Sequence, residues 1–332
     1  SFLMSSPTKI SQLYSISTFL LQAVLGLLTM YLVTRYLDPE DLGVYRYVVA
    51  VISLVAVFTF PGFNKTIPGY LSKNFHGSVS SSMGLSLKGS VIGIIVLAIH
   101  GFYYNGSMKG VLFYAAAIVF IPYVIFSRYE FILQGLHLFK KIFYFKGWLS
   151  ILQFFSAFIV LTIFEQGVLL FGLSQFLIQL FLFTSFYFYT ISLLSNKKID
   201  KEFINHSKTI TYYGVVGRII LPSLQILLNS ALGPESVALY FISKKISDMA
   251  SNATHQLMKP ISMNISSASN ASDKYIMLKK IMPISLLIGI FFFIAIYFSI
   301  TIFGKYLVGE LYFDALEYAK IFSIVVIFTP FQ

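Results

Sequence analysis

"LDPEDLGVYRY", residues 37–47, stands between two long apolar runs, and "LGPESVALYFI", residues 232–242, repeats its pattern. Both read Leu-x-Pro-Glu-x-apolar-small-apolar-Tyr, with Gly43 and Ala238 as the small residues and Tyr45 and Tyr240 at the end. Pro and Glu suit any helix start. Turn chemistry asks for neither the small residue nor the tyrosine, so the pair marks a duplicated hairpin. Six apolar runs separate the first member of one hairpin from that of the other. An even number preserves orientation, so the halves read as parallel repeats about an axis along the membrane normal. Transporters are often built this way, with the substrate path between the halves.

The runs themselves set the class. Of 332 residues, 57% are hydrophobic and 11% charged, against about 25% charged in soluble domains. Ten runs are long enough to cross a hydrocarbon core of about 30 Å: roughly 13–36, 44–62, 89–105, 110–127, 147–164, 167–193, 209–232, 236–260, 281–303 and 317–332. Their continuous apolarity excludes the alternating strands of a membrane barrel. The expected fold is all-α and polytopic, with two pseudo-symmetric helical bundles around a central cavity. Residues 1–194 form the first lobe, 195–208 a basic cytoplasmic linker and 209–332 the second lobe. Two halves of six call for twelve spans or more, so the chain reads as short of about two at its C-terminal end, with Met4 as its natural start. No cleavable signal peptide is visible.

Charge assigns the sides. Sixteen of the 24 Lys and Arg, Arg128 among them, fall in one set of alternate loops, and four in the opposite set. By the positive-inside rule the N-terminus and the basic loops are cytoplasmic. The stretch 128–146, "RYEFILQGLHLFKKIFYFK", interleaves basic and aromatic residues and is expected to lie along that interface among anionic lipid heads. The net charge of +11 is spread over such loops, which argues against nucleic acid. With no cysteine there is no thiolate metal site or disulfide. No catalytic motif or cofactor-binding pattern is present, so no enzyme activity, cofactor or metal is expected.

The remaining cations, Arg46, Arg218, Lys244 and Lys245, fall inside apolar runs, joined by one acid, Asp248. A charge at mid-bilayer costs about 2.5–3.5 kcal/mol on insertion scales and asks for a reason. At 100° per residue, Thr211, Arg218, Pro222, Gln225 and Asn229 share one stripe. Lys244, Asp248, Ser251, Asn252, His255 and Lys259 share another, in which Lys244 and Asp248 are spaced to pair. Ser11, Ser15, Thr18, Gln22 and Thr29 make a milder one. These spans are the ones tied by the repeat. The stripes read as walls of a water-filled cavity whose net positive charge concentrates anions, and Arg forks suit phosphate oxygens. Each also has a plain reading: Arg46 snorkelling to headgroups, Arg218 satisfied by carbonyls, Lys244 and Asp248 neutralising each other, His255 a hydrogen-bonding wall residue.

"LLTMYLVTRYLDPEDLGVYRYVVAV" resembles the first hairpin of the polysaccharide-biosynthesis (O-antigen, Wzx-type) flippases of the multidrug/oligosaccharidyl-lipid/polysaccharide (MOP) exporter superfamily. "GPESVALYFISKKISDMASN" is similar to their seventh-to-eighth span segment, and "FGKYLVGELYFDALEYAKIFSIVVIFTPFQ" to their ninth-to-tenth. The resemblance implies two lobes around a cationic cavity. It implies that undecaprenyl-pyrophosphate-linked glycan crosses the bacterial cytoplasmic membrane, with membrane lipids and other polysaccharide-assembly membrane proteins as partners. Arg46, Arg218, Lys244 and Lys245 are the cationic positions that match. The chain departs from many relatives in having no acid in its seventh span, where it reads "LPSLQILLNS". Two other readings stand beside it. A cation-coupled multidrug exporter needs buried carboxylates, and only Asp248 is offered. A membrane polysaccharide polymerase or ligase needs a large outer loop, and the outer loops are short.

Overall fold

The structure, a computed structural model, describes residues 9–164, 167–267 and 271–329. Within them the side chains of residues 9–12, 250, 253–274, 276–278, 280–281 and 284 are not described, so the expectations for Ser11, His255 and Lys259 lie outside the described residues. The chain divides into two compact units, Ser1–Val237 and Ala238–Gln332. Among the described residues every regular element is helical, and eight stretches are long and apolar enough to cross a membrane. The all-α, multi-pass reading therefore holds.

In the first unit the helices are α1 (Lys9–Tyr36), α2 (Pro39–Val55), α3 (Phe63–Ser72), α4 (Ser78–Tyr103), α5 (Met108–Val124), α6 (Tyr129–Gly135), α7 (Phe139–Phe158), α8 (Val168–Ile191) and α9 (Phe203–Leu232). α1 packs on α7, α4 on α5, α5 on α8, and α2 on α9. α9, which the lobe reading puts after the linker, lies against α2 and α3 and so belongs to this unit by packing. The second unit contains most of α10 (Pro234–Ser267), then α11 (Ala271–Leu307), α12 (Phe313–Phe322) and α13 (Val325–Phe328). α10, at 34 residues long enough to span, is not among the eight. The last apolar run is divided between α12 and α13. These two account for the difference from ten.

The two repeated turns meet. α2 starts at Pro39 after an extended Asp38, whereas α9 ends on Gly233 at φ +86, a conformation that favours glycine. Gly43 then lies directly against the Pro234 backbone, and a Cβ there would overlap its carbonyl. The small residue of the motif is a seam between α2 and the start of α10. The tyrosines anchor each copy. Tyr45, buried, stands edge-on to Phe171, 5.4 Å between centroids, and Tyr240, half-buried, stands edge-on to Phe322 at 5.6 Å.

α2 does not run to residue 62. A 3-10 turn follows it over Ala56–Thr59, and Phe60 takes φ +55. The residue before a proline is disfavoured from the right-handed helical region, and Pro61 ends the helix there. α3 restarts at once and buries Phe63, Ile67 and Leu71 against Tyr129, Ile132, Leu133 and Phe203. α3 and the glycine before it cross to α9 through polar bonds: the Gly62 N–H donates to Thr211 Oγ1 (3.0 Å), the Thr66 and Ser207 hydroxyls pair at 2.7 Å, and the Tyr70 hydroxyl meets His206 Nδ1 at 3.1 Å. α4 begins eleven residues before its apolar core. Its Ser82, Ser86, Gly89 and Ser90 are buried, and small residues of this kind let helices approach closely in lipid.

In the segment 128–146 part of the expected interfacial stretch packs inward. α6 buries Tyr129, Ile132 and Leu133, and Lys146 turns back to Glu130 at 2.7 Å, so the stretch is folded into the unit. The linker is docked as well. The Ser195 N–H donates to His76 Nδ1 (3.0 Å), and the Gly77 N–H donates to Lys198 O (2.9 Å). Beside it, partial burial and then the charges of Asp200 and Glu202 hold the Tyr70 hydroxyl above its usual pKa.

Candidate functional site

The helix break at 55–62 opens a cleft of about 270 Å³ inside the first unit. α2 and its 3-10 turn contribute Ser53, Val57 and Thr59; α3 contributes Asn64; the end of α5 and the turn after it contribute Tyr123, Ser127 and Arg128; α9 contributes Arg218. No Asp or Glu is among its lining residues.

Arg128 was counted from the sequence as a loop cation, and the structure buries it to 2% exposure. Its fork donates from Nη1 to Ser86 Oγ (2.7 Å) and from Nη2 to Thr59 O (2.8 Å). The guanidinium stands 5.5 Å from the Phe63 ring centroid. It thereby ties α4 to the carbonyl exposed where α2 unwinds. Its buried Nε–H has no hydrogen-bond partner in the protein, and neither has Asn64 Oδ1. Its sequence signal, an arginine closing an apolar run, also fits a snorkelling loop residue.

Arg218 is half-buried near the middle of α9, two turns beyond Thr211. It lines the same cleft as Arg128, within reach of its charge. Two cations in a low-dielectric recess repel each other, and an anion between them relieves both. Arg46 sits seven residues before Ser53 on α2, ~10 Å along the helix. Its guanidinium lies 5.3 Å from the Tyr45 ring centroid, and it is within electrostatic reach of Tyr123, a residue of the cleft.

The other sequence-named residues lie elsewhere. Gln22 is half-buried on α1, which packs on α7. Gln225 and Asn229 continue along α9 past the cleft, half-buried, with Asn229 Oδ1 unpartnered. In the second unit Lys244 and Asp248 pair at 2.5 Å, Lys245 is half-buried and Asn252 is exposed. The polar face of α10 is really two faces. Ser243 donates to Ala315 O and Ser247 to Phe322 O, each at 2.9 Å, while Thr329 donates to Ser251 at 3.1 Å. These serines form the seam to α12 and its C-terminal continuation. Among the described residues no cluster of His, Asp and Glu is arranged to hold a metal.

The architecture has known counterparts. An outward-facing multidrug resistance MATE family transporter of the MOP superfamily superposes with a TM-score of 0.66 at 16% identity, over 99% of this chain and 80% of its own. An inward-facing structure of a MATE family transporter of the same superfamily gives 0.63 at 15%, over 93% and 78%. A MOP superfamily transporter from Pyrococcus furiosus, noted for the reverse polarity of its binding pocket, gives 0.55 at 13%, over 98% and 79%. At such identities the likeness is one of fold. No curated protein matches the sequence. Residues 32–324, nearly the whole described chain, match the family described as polysaccharide biosynthesis protein. The chain therefore belongs to the polysaccharide biosynthesis protein family, built on the MOP-superfamily transporter fold.

Proposed function

We propose that this protein is a flippase for undecaprenyl-pyrophosphate-linked oligosaccharide, moving it across the bacterial cytoplasmic membrane by alternate exposure to the two sides. The N-terminus and the basic loops face the cytoplasm in this reading, and the exported glycan feeds a surface polysaccharide. The observation that carries it is the cleft of the first unit, in which Arg128 and Arg218 converge with no carboxylate among the lining residues. Planar guanidinium forks suit phosphate oxygens, and a dry recess strengthens the attraction. Arg46, farther along α2, is the next cation on the route, and Lys244 and Lys245 serve the second unit. A sugar head cannot enter hydrocarbon unaided, whereas a polyprenyl tail stays in lipid. The family supports the polysaccharide link, and the fold is shared with transporters. A reversed pocket polarity, as noted for the Pyrococcus furiosus relative, accords with a cationic cleft and an anionic cargo. Export of cationic drugs would need an acid where none lines the cleft.

The test is complementation of a flippase-null strain, reading surface glycan. Arg218→Ala is expected to reduce glycan at least about tenfold while the protein stays in the membrane fraction, as loss of a charge-assisted contact to phosphate implies. Undiminished glycan would remove Arg218 from the pyrophosphate role.

A further inference from the structure

The geometry points to Thr211 as a positioning residue for Arg218: by capping the start of α3 from across the seam, its hydroxyl sets the register in which α9 presents the arginine to the cleft. The inference rests on the cleft being an anion site and adds what holds its cation in place.

α9 has few fixed points. Among its described residues only Phe203, Ser207 and Thr211 are buried, one stripe at i, i+4 and i+8. All three meet α3 or the glycine before it. Phe203 stands edge-on to Tyr70, 4.9 Å between centroids, Ser207 pairs with Thr66 at 2.7 Å, and Thr211 accepts from the Gly62 N–H at 3.0 Å. The pairs 70–203, 66–207 and 62–211 step by one turn on each side, so the two segments run antiparallel in a single register. The rest of α9 leans on α2 with side chains that are at most half-buried.

Thr211 is the member that fixes this register. Pro61 breaks the chain before α3, and the glycine at the head of the helix offers no side chain to the N–H groups exposed there. The Phe63 and Asn64 N–H groups turn back to Phe60 O and Pro61 O (3.1 and 3.2 Å), and the Gly62 N–H goes across the seam to Thr211. Thr211 Oγ1 accepts it while donating to Ser207 O (2.9 Å). The approach is backbone-close: a Cβ on Gly62 would overlap Ser207 O and Thr211 Oγ1. Sliding α9 by one turn either way brings Val215 to Gly62 or Phe203 to Thr66. Each puts an apolar group where a buried polar one needs a partner. Arg218 lies seven residues beyond Thr211, ~10 Å along the helix and on nearly the same face. Asn64, the cleft residue of α3, lies two beyond Gly62. The bond therefore joins the α3 wall of the cleft to its α9 wall, and the side chains of a binding constellation need to be held within about 0.5 Å.

The test uses the full chain in detergent with inorganic pyrophosphate as probe, at low ionic strength so that weakened variants stay measurable. Thr211→Val keeps the shape and removes the hydroxyl; Thr211→Ser keeps the hydroxyl. Thr211→Val is expected to weaken pyrophosphate binding about three- to tenfold, the range of one hydrogen bond, and Thr211→Ser to stay close to the unaltered protein. A role through Arg218 requires more. In an Arg218→Ala background, itself weaker by at least about tenfold, Thr211→Val should change nothing further. If Thr211→Val fails to fold, Thr66→Ala removes the neighbouring pair and is carried through the same cycle. Should Thr211→Val bind as the unaltered protein does, Thr211→Ser fail to restore binding, or the loss be equal with and without Arg218, the positioning role is overturned and the anion reading stands. If pyrophosphate does not bind, or binds Arg218→Ala as tightly as the unaltered protein, both fall.

Discussion

At the residue scale the deciding side chain is Arg128. A cation buried to 2% exposure is tolerable here because two oxygens, Ser86 Oγ and Thr59 O, take its fork. Arg128→Ala removes both bonds at a helix break and leaves the Thr59 carbonyl to the Ser86 hydroxyl alone. We expect a loss of roughly 2–4 kcal/mol, read as a fall of several degrees in the melting temperature of the detergent-solubilised protein. Arg128→Lys keeps the charge without the fork and should fall between. Lys244 and Asp248 offer the contrast. Their pair is half-open to solvent, Asp248 being 49% exposed along its side chain, and such pairs contribute about 0–1 kcal/mol. Lys244→Gln should leave the melting temperature within about a degree, so a glycan-export defect in that variant would be a transport effect. The sequence makes Lys244 and Asp248 legible because their bond is local, four residues along one helix. It makes Arg218 legible because no interface lies near the middle of its run. It hides Arg128, since an arginine closing an apolar stretch reads equally as loop or core. Only the three-dimensional approach of α4 and the Thr59 carbonyl decides between them.

At the element scale the gain over hydropathy lies where helices are broken or polar. The spans α1, α5, α8 and α9 follow their apolar runs closely. α4 exceeds its run because its first three turns are rich in serine, weak in hydropathy, although Ser78, Ser82 and Ser86 are buried. α3 and α6 are too short and too mixed to announce themselves; they pack on each other, α3 also on α9 and α6 on α7 and α8. Asn64 belongs to the cleft only because α2 unwinds at Phe60 and restarts at Phe63. The closest helix seam is at Gly43. A side chain there must push against the backbone of Pro234, which cannot swing aside as a side chain would. Gly43→Val should cost about 1–3 kcal/mol through overpacking and push α2 away from the start of α10. Thermal melting together with limited proteolysis checks both; a melting curve unchanged from the unaltered protein would show that the seam is looser than described.

At the scale of the whole molecule, the chain shares its fold with MOP transporters, whereas the parallel duplication read from the twin hairpins is an expectation of the sequence alone. Orientation is the part that hydropathy and packing leave to charge. The absence of cysteine provides a clean background for testing it. With a membrane-impermeant maleimide, Lys197→Cys, on the docked linker, should label only from the cytoplasmic side. Tyr103→Cys, at the other end of α4 and 78% exposed, should label only from the opposite side. The reverse pattern would invert the proposed direction of export. The meeting of Gly43 with Pro234 also has a consequence in time. Synthesis proceeds at about 5–20 residues per second, so roughly ten to forty seconds separate the emergence of these two residues from the ribosome. Throughout that interval the first hairpin resides in the bilayer with its glycine face bare, and the arginine cleft lacks its α9 wall. The nascent protein must either be sheltered by the insertion machinery or stay open until its seventh span arrives, so the step that completes the cleft is also the one that closes the first unit.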